Sequence, residues 1–265
     1  MPELPEVETE RGRLAARIEG RRIRTARIDD SRLTRPEDPA LVAARIEGER
    51  VTALERRGKY LLIRLESGTV LVVHLRMTGG FRYEPASHER AVLELDEGTR
   101  IAYRDLRRFG TWTLLEPGEA DEYLRVRLGP EPLGRGFTAA FLAQRLAGRR
   151  APVKAAILDQ RTVAGLGNIY ADEALWHAAI HPRRPAGELS ADEITALREG
   201  IRNALRRGIR RQGADLGDGT YAGGRMQREF KAYGRLGEPC DRCGTPIEKT
   251  RAGGRGTWFC PACQV

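Results

Sequence analysis

The stretch Cys240-Asp-Arg-Cys243-Gly-Thr-Pro-Ile-Glu-Lys-Thr-Arg-Ala-Gly-Gly-Arg-Gly-Thr-Trp-Phe-Cys260-Pro-Ala-Cys263 decides how the C-terminal end of this chain folds. Its two Cys-x2-Cys pairs are separated by sixteen residues, a spacing typical of two knuckles that clamp one tetrahedral Zn²⁺ through four thiolates. Four sulfur ligands leave no open coordination position, so the metal is expected to be structural. The sequence therefore predicts one zinc ion held by Cys240, Cys243, Cys260 and Cys263.

A hairpin is predicted between the knuckles, over residues 249–259, with the tip Gly253-Gly254-Arg255-Gly256. Arg255 is either an ordinary exposed turn residue or a phosphate contact. The second interpretation is favoured, because an arginine on a rigid hairpin loses less conformational freedom when it binds an anion.

Helical periodicity precedes this zinc-ribbon hairpin. Short helices are predicted near residues 138–147, 152–160 and 169–179, and the turn Ala164-Gly165-Leu166-Gly167-Asn168 leads into the third. Such a turn can cradle a phosphate, although a packing role is the commoner explanation. A longer helix begins at the capping box Ser190-Ala-Asp-Glu193 and ends near residue 211. Its basic side, with Arg198, Arg202, Arg206 and Arg210, is most simply a solvated face. Residues 213–224, with five glycines, predict a flexible loop.

The first half of the chain has a different pattern. A helix is predicted almost at the N-terminus, after Pro5, and short β-branched runs separated by turns over residues 51–115 predict an antiparallel sheet. Prolines and glycines then mark a linker. We therefore expect an α+β multidomain protein with four parts: a β-sandwich domain with an N-terminal helix (1–116), a linker (117–137), a helical domain (138–236) and a zinc module (237–265).

The charge balance favours a polyanionic partner. The chain has 46 basic and 37 acidic residues, a formal net charge of +9 and a pI near 9.8, values that nominate nucleic acid as the partner. No apolar run approaches the ~18 residues that a spanning helix needs. The N-terminus also lacks the basic region and apolar stretch of a signal peptide, so we expect a cytoplasmic protein that does not contact membranes.

The N-terminal dipeptide Met1-Pro2 permits removal of the initiator, but many ordinary proteins share it. Its chemistry is nonetheless suggestive, because an α-amine has a pKa of ~8 against ~10.4 for lysine, so about a hundredfold more of it is neutral at pH 7. A secondary amine that attacks C1′ of a sugar could expel the base and leave an iminium, which promotes strand cleavage by elimination. Glu3 lies beside it, where a carboxylate can shuttle protons.

A series of motifs follows in one order along almost the whole chain: Met1-Pro2-Glu3-Leu4-Pro5-Glu6-Val7-Glu8-Thr9, Arg57-Gly58-Lys59-Tyr60-Leu61, His74-Leu75-Arg76-Met77-Thr78-Gly79, Asp105-Leu106-Arg107-Arg108-Phe109-Gly110, Asp159-Gln160, Gly165-Leu166-Gly167-Asn168-Ile169-Tyr170-Ala171-Asp172-Glu173, Tyr233-Gly234-Arg235 and the zinc knuckles. In this order they resemble the bacterial formamidopyrimidine-DNA glycosylase family. Several motifs are weak individually, but their joint order leaves little room for coincidence.

The resemblance implies an N-terminal β-sandwich, a helical domain with a helix-two-turn-helix element, and a C-terminal zinc finger, with DNA in the cleft between the domains. It also implies a bifunctional DNA glycosylase and AP lyase that excises oxidised purines, such as 8-oxoguanine and formamidopyrimidines, with β,δ-elimination. The expected partner is double-stranded DNA that contains oxidised bases or abasic sites. We expect a monomer that is associated with the nucleoid.

The resemblance also assigns roles to residues. Pro2 would be the Schiff-base nucleophile and Glu3 the general acid and base. Lys59 would bind phosphate and assist β-elimination, and Arg255 would grip a phosphate and assist δ-elimination. Met77, Arg107 and Phe109 would fill the void that the extracted base leaves, a step that costs a few kcal/mol of unstacking. Without the resemblance, Met77 and Phe109 are more simply core residues. The remaining DNA contacts would be His74, His88, Arg149, Lys154 and Asn168.

Two departures from the family pattern keep alternatives open. Leu106 stands where the family usually has Pro, and the segment after Gly213 is shorter than the family's loop over the flipped base. An oxidised-pyrimidine glycosylase resembling endonuclease VIII shares Pro2 and Glu3 but usually has Gly in place of Leu4. A non-catalytic zinc-ribbon DNA-binding protein would explain the charge and the cysteines, but not Pro2, Glu3 or Lys59.

Overall fold

The computed structural model describes residues 1–216, 221 and 223–265. The chain divides into two units, Met1–Val126 with Asp215–Gly223, and Arg127–Ala214 with Gly224–Val265. The finer division into four parts with a linker at 117–137 stays a prediction. Of the loop predicted at 213–224, residues 217–220 and 222 lie outside the described residues.

The first unit begins with a helix and continues mainly as β-strands. Its elements in chain order are α1 (Leu4–Ile18), β1 (Ile23–Ile28), α2 (Pro39–Ile46), β2 (Val51–Arg57), β3 (Tyr60–Leu65), β4 (Val70–His74), β5 (Gly79–Arg82), β6 (Glu89–Leu95), β7 (Arg100–Asp105), β8 (Thr111–Leu115) and α3 (Glu119–Arg125). Helix α1 starts where expected, since Pro5 suits the first turn and Glu6 complements the helix dipole there.

The strands form two four-stranded sheets, in the orders β1-β6-β7-β5 and β2-β3-β4-β8. All recorded pairings within them are antiparallel. Side chains from both sheets, α1 and α2 join in one hydrophobic cluster that includes Leu14, Ile63 and Trp112. The structure therefore confirms the predicted N-terminal helix and antiparallel β-sandwich.

The second unit is mainly helical. Its elements are α4 (Ala139–Leu146), α5 (Val153–Leu158), α6 (Asn168–Ala178), α7 (Ala191–Arg210), β9 (Glu248–Ala252) and β10 (Arg255–Phe259), with short 3₁₀ turns at Ala186–Glu188 and Met226–Glu229. Helix α7 begins at the predicted capping box, where the amide of Ser190 donates to Glu193 and the amide of Glu193 donates to the Ser190 hydroxyl. The helical domain and the C-terminal hairpin are thus confirmed.

Two details differ from the sequence-based expectations. The predicted linker contains helix α3, whose first turn carries Glu119 and two further acidic residues and whose last turn carries Arg125, an arrangement that the helix dipole stabilises. The basic side of α7 is not simply solvated. Arg198 donates to the carbonyl of Phe137 and Arg202 to that of Pro132, so these two arginines fasten the segment before α4.

Within the described part of the chain, no helix combines the length and the apolar character needed to cross a bilayer.

Candidate functional site

The N-terminus is fixed by the first turn of α1. Pro2 is buried and Glu3 is only 3% exposed. The amide of Glu3 donates to Glu6 Oε2 at 2.9 Å, while Met1 remains exposed. Removing Met1 would therefore leave the amine of Pro2 at the start of a rigid helix, with the Glu3 carboxyl group next to it in the chain.

A basic cleft of 650 Å³ opens beside this N-terminus. Met1, Met77 and Phe109 line it, so the first unit brings the chain start together with two of the three predicted void-filling residues. Four guanidinium groups also line this N-terminal cleft: Arg32, Arg35, Arg76 and Arg108. A cleft with this much positive charge suits a phosphodiester backbone.

The loop between β7 and β8 presents an aromatic ring to solvent. Phe109 is 51% exposed and Leu106 is 49% exposed, while Met77 is half-buried. The guanidinium of the exposed Arg107 lies 4.8 Å from the centre of the Phe109 ring, a cation–π contact that orders both side chains. The simpler explanation of Phe109 as a core residue is therefore wrong.

The buried side chain of Asp105 anchors this loop. It is 1% exposed and accepts hydrogen bonds from the amide of Gly110 at 2.7 Å, the amide of Arg107 at 3.2 Å and the hydroxyl of Thr78. The Thr78 hydroxyl also accepts from the Arg107 amide at 2.9 Å. One buried carboxylate thus holds both ends of the loop and links it to the segment that carries Met77.

We predict that Asp105→Asn lowers the free energy of unfolding by about 1–3 kcal/mol, because an amide nitrogen replaces one of the acceptor oxygens and leaves a buried donor unsatisfied. Urea denaturation monitored by circular dichroism measures the change. Asp96→Asn is the matched control, since Asp96 accepts one hydrogen bond from the backbone amide of Arg22 at the surface. This substitution should lower the free energy of unfolding by less than about 0.5 kcal/mol. Equal effects of the two substitutions would contradict the anchoring role.

Two glycines of the quoted motifs make room for one tyrosine. A Cβ atom on Gly79 would lie 2.1 Å from the hydroxyl oxygen of Tyr103, and a Cβ on Gly110 would lie 2.0 Å from the same atom. Tyr103 is fully buried in the core between them. Glycine at both positions is therefore required for Tyr103 to occupy this site, next to the segments that carry Met77 and Phe109.

Lys59 and His74 lie together at one end of the second sheet. Lys59 follows Gly58 in the two-residue turn between β2 and β3, and Tyr60 pairs with His74 across β3 and β4. Both Lys59 and His74 are buried. Burial, with the charges of Arg76 and Lys59, lowers the pKa of His74 to about 3. Its Nδ1 accepts from the amide of Arg76 at 3.0 Å, so the neutral ring carries its proton on Nε2 and can donate one uncharged hydrogen bond.

The lowered pKa of His74 predicts a pH dependence of stability. Between about pH 3 and 6.5 the unfolded chain binds a proton at this histidine and the native protein does not, so stability falls as the pH drops below 6.5. Between pH 7 and pH 5, the free energy of unfolding of the wild-type protein should fall by about 2 kcal/mol more than that of His74→Asn. Urea titrations of both proteins at each pH measure this difference, in which the other histidines cancel. If the stability of both proteins depended on pH in the same way, the pKa of His74 would not be lowered in the native state.

In the second unit, the turns between α5 and α6 are held by Gln160. Its side-chain amide donates to the carbonyls of Leu158 and Leu166 and accepts from the amide of Gly165. Gly165 has φ +82°, which glycine adopts without strain. Asn168 then begins α6 and donates from Nδ2 to the carbonyl of Gly256 at 3.1 Å.

Arg255 lies at the start of β10, directly after a two-residue turn. Gly253 and Gly254 form this turn with φ +56° and +77°, values that glycine accommodates best in a tight hairpin. Arg255 is exposed and makes no salt bridge with a carboxylate in the described part of the chain. Its position fits the predicted phosphate contact.

Lys154 does not fit the direct DNA contact that the resemblance implies. Its side chain is completely buried, and Nζ lies 2.7 Å from Asp172 Oδ1. It also donates to Thr257 Oγ1 at 2.8 Å and to the Gly256 carbonyl at 3.0 Å. Three oxygen atoms of the protein thus lie around the ammonium group. The remaining two predicted contacts are accessible: His88 is exposed, and Arg149 is half-buried with a guanidinium nitrogen 3.9 Å from Asp159.

The four cysteines converge as the spacing predicts. Their Sγ atoms all lie within 4.8 Å of one another, and those of Cys243 and Cys260 are 3.5 Å apart. Zinc with Zn–S bonds of ~2.3 Å requires sulfur–sulfur separations of ~3.8 Å, so the donor set and its geometry fit one tetrahedral ion. The indole N–H of Trp176 donates to Cys240 Sγ at 3.3 Å, which stabilises a thiolate there.

Sequence reasoning missed two groups of residues. The arginines that line the N-terminal cleft were not distinguished from the many others in the chain. Asp172 and Glu173 were quoted only as motif letters, yet both are buried, and burial raises the pKa of Asp172 to about 7 and that of Glu173 in the same direction. Two adjacent acidic residues among apolar ones in α6 were a usable signal. Carboxylates that are buried with such neighbours need partners, so the pair indicates a site of tertiary contacts.

Comparison with known proteins finds matches along the whole length of the chain. Its segments match the models of the formamidopyrimidine-DNA glycosylase N-terminal domain (residues 1–112), the formamidopyrimidine-DNA glycosylase H2TH domain (128–218) and the zinc finger found in FPG and IleRS (237–265). A formamidopyrimidine-DNA glycosylase of Symbiobacterium thermophilum is 48% identical over 273 residues, covering 100% of this chain and 89% of that protein.

Solved structures agree with these matches. The crystal structure of the MutM (Fpg) protein from Thermus thermophilus is similar with a TM-score of 0.91 and 43% identity, over 99% of this chain and 98% of that one. A Lactococcus lactis Fpg variant in complex with Fapy-dG-containing DNA has a TM-score of 0.93 and 35% identity, over 99% of both chains.

Proposed function

Because the chain belongs to the formamidopyrimidine-DNA glycosylase family, we propose that it is a bifunctional glycosylase and AP lyase that excises oxidised purines from double-stranded DNA. The observation that carries this proposal is the N-terminal cleft, where the chain start, Met77, Phe109 and four arginines line one basic recess. Membership of a glycosylase family sets aside the non-catalytic zinc-ribbon alternative. Fapy-dG in the DNA bound by a similar protein favours oxidised purines over oxidised pyrimidines.

The proposed reaction starts at the amine of Pro2. Its lone pair forms a bond to C1′ while the glycosidic bond breaks, and the base leaves with that electron pair and takes up a proton. Opening of the sugar ring gives an iminium ion between Pro2 and C1′. Glu3, adjacent in the chain and buried with it, is the group proposed to shuttle the protons of these steps.

The iminium ion then makes strand cleavage possible because it acidifies C2′. Loss of the C2′ proton and of the 3′-phosphate is β-elimination, and a second deprotonation with loss of the 5′-phosphate is δ-elimination. We assign assistance of the first step to Lys59 and of the second to Arg255. Hydrolysis of the remaining Schiff base returns the free amine.

The other predicted residues would hold the DNA in the required conformation. Met77, Arg107 and Phe109 would occupy the void of the extruded base. His74, His88, Arg149 and Asn168 would contact the backbone, with His74 acting as a neutral donor. The zinc module would keep Arg255 on a rigid hairpin. The enzyme would act as a monomer on nucleoid DNA. Light scattering of the free protein measures its molar mass and so checks the monomeric state.

Trapping with borohydride tests the proposal. Purified protein is incubated with duplexes that contain one 8-oxoguanine, one thymine glycol or one abasic site, and covalent adducts are separated on a denaturing gel. We expect adducts with 8-oxoguanine and with the abasic site. Absence of an adduct on every substrate would contradict an amine nucleophile, and stronger trapping on thymine glycol would assign the enzyme to oxidised pyrimidines.

A further inference from the structure

Lys154 and Asp172 form an ion pair that is sealed from solvent, since both side chains are 0% exposed and their charged atoms lie 2.7 Å apart. Such a pair is costly to desolvate and persists where its geometry and further hydrogen bonds compensate. Here three hydrogen bonds of the pair lead to one strand, β10. The pair lies between α5 and α6 on one side and β10 on the other.

The contacts of this pair concentrate on the three residues that follow Arg255. Lys154 Nζ donates to the carbonyl of Gly256 and to the hydroxyl of Thr257. That hydroxyl in turn donates to the carbonyl of Arg255 at 2.9 Å. Both the Arg255 and the Gly256 carbonyl groups are therefore held within two hydrogen bonds of one ammonium group.

Asp172 holds the next peptide of the same strand. Its Oδ2 accepts from the amide of Trp258 at 3.1 Å, while Oδ1 faces Lys154. The turn of the hairpin is also in close contact with α5, because a Cβ on Gly253 would lie 2.5 Å from the Cβ of Ala155. The hairpin is thus tied to α5 and α6 along β10, by bonds separate from the zinc knuckles.

We propose that Lys154 and Asp172 are a positioning pair that fixes β10 on the helices and thereby aims Arg255 at its phosphate. The inference rests on the proposed function in assigning a phosphate contact to Arg255. It replaces the direct DNA contact of Lys154 with an indirect one, since the ammonium has its three oxygen neighbours within the protein. A misplacement of ~1 Å can cost ~10²-fold in rate, so small movements of β10 matter for δ-elimination.

The salt dependence of binding distinguishes the two roles of Lys154. The dissociation constant for a duplex with a tetrahydrofuran abasic analogue is measured from 50 to 300 mM salt for wild type, Lys154→Met, Arg255→Ala and the variant with both changes. Each lost phosphate contact lowers the slope of log K against log [salt] by ~0.9. If Lys154 acts through Arg255, we expect the double variant to lose no more slope than Arg255→Ala. A loss of two contacts in the double variant would overturn the proposal.

Product analysis supplies the second readout. We expect Lys154→Met to lower the rate of δ-elimination by ~10-fold or more, with borohydride trapping on an abasic site unchanged within about twofold, because the amine of Pro2 is untouched. Lys231→Met is the matched control, since Lys231 pairs with Asp241 in the same unit and should leave the ratio of β to δ product unchanged. An unchanged ratio in Lys154→Met, with a changed one in Arg255→Ala, would overturn the positioning role.

Hydrogen exchange of the peptide 248–259 tests the positioning without reference to activity. Exchange should become faster in Lys154→Met and also in Lys154→Met/Asp172→Asn, which removes both charges and leaves an acceptor for the Trp258 amide, while zinc content stays at one per chain. Unchanged exchange in both variants would refute the inference. If Arg255→Ala altered neither slope nor product ratio, the role of Arg255 in the proposed function would be wrong, and faster exchange would still report the pair's hold on β10.

Discussion

Pro2→Gly is expected to lower base excision and lyase activity by about 10²-fold, a barrier increase of ~2.7 kcal/mol, while affinity for DNA with an abasic analogue stays near that of wild type. Glycine keeps an α-amine, but a primary amine gives an imine that must be protonated before it withdraws electrons, whereas the secondary amine of proline gives a cationic iminium directly. Glycine also releases the backbone restriction that proline imposes at the start of α1.

Single-turnover kinetics on 8-oxoguanine duplex and binding to the abasic analogue measure the two effects. Pro39→Gly is the matched control, because Pro39 is the first residue of α2 in the same unit and should change stability without changing the chemical step. Loss of DNA binding in Pro2→Gly would indicate a structural N-terminus. Mass spectrometry of the active wild-type material must also find Met1 removed, and a retained initiator in active protein would contradict the amine mechanism.

Removal of zinc is expected to abolish specific DNA binding, with affinity falling by at least ~10²-fold. Structural zinc sites of this kind contribute ~10–16 kcal/mol of apparent binding free energy, which in a small module is largely folding free energy. Without metal, the knuckles that close the two ends of the β9–β10 hairpin separate, and Arg255 loses its rigid support. The β-sandwich has its own core and should stay folded.

Dialysis against a strong chelator, followed by binding assays and circular dichroism, tests this expectation. Reconstitution with one equivalent of Zn²⁺ is the control and should restore binding. Metal-free protein that binds the abasic analogue as tightly as the zinc-loaded protein would contradict a structural role for the site. Near-complete loss of β-sheet signal would instead indicate that the two units do not fold independently.

The elements with strong periodicity could be predicted from the chain. Strand β8 ends at Leu115, where the β-branched runs predicted over residues 51–115 also end, and α7 begins at its capping box, because these signals are local. Helix α3 was missed because Pro117 and Gly118 outweighed the acidic first turn that follows them. Gly118 is in fact the residue that precedes the helix, with φ +87°.

In the candidate site, too, residues with local signals could be predicted and those that depend on distant partners could not. The zinc ligands follow from the spacing of the cysteines, because that signal is local. The role of Pro2 as nucleophile is implied by the resemblance and stays a prediction. The burial of Lys154 could not be predicted, since Asp172 and Thr257, which surround it, lie 18 and 103 residues further along the chain. A lone lysine in a basic chain looks like one more cation for DNA. Only its tertiary partners indicate otherwise.

Helix α6 contacts the hairpin and the knuckle through residues spaced by four: Asn168 at the Gly256 carbonyl, Asp172 at the Trp258 amide and Trp176 at Cys240 Sγ. Each residue turns a helix by about 100°, so a single inserted or deleted residue within this stretch would swing the later contacts off the shared face. Insertions and deletions should therefore be excluded from α6, most of whose side chains are also buried. The length of this helix sets the register between the helices and the metal-bound end of the protein.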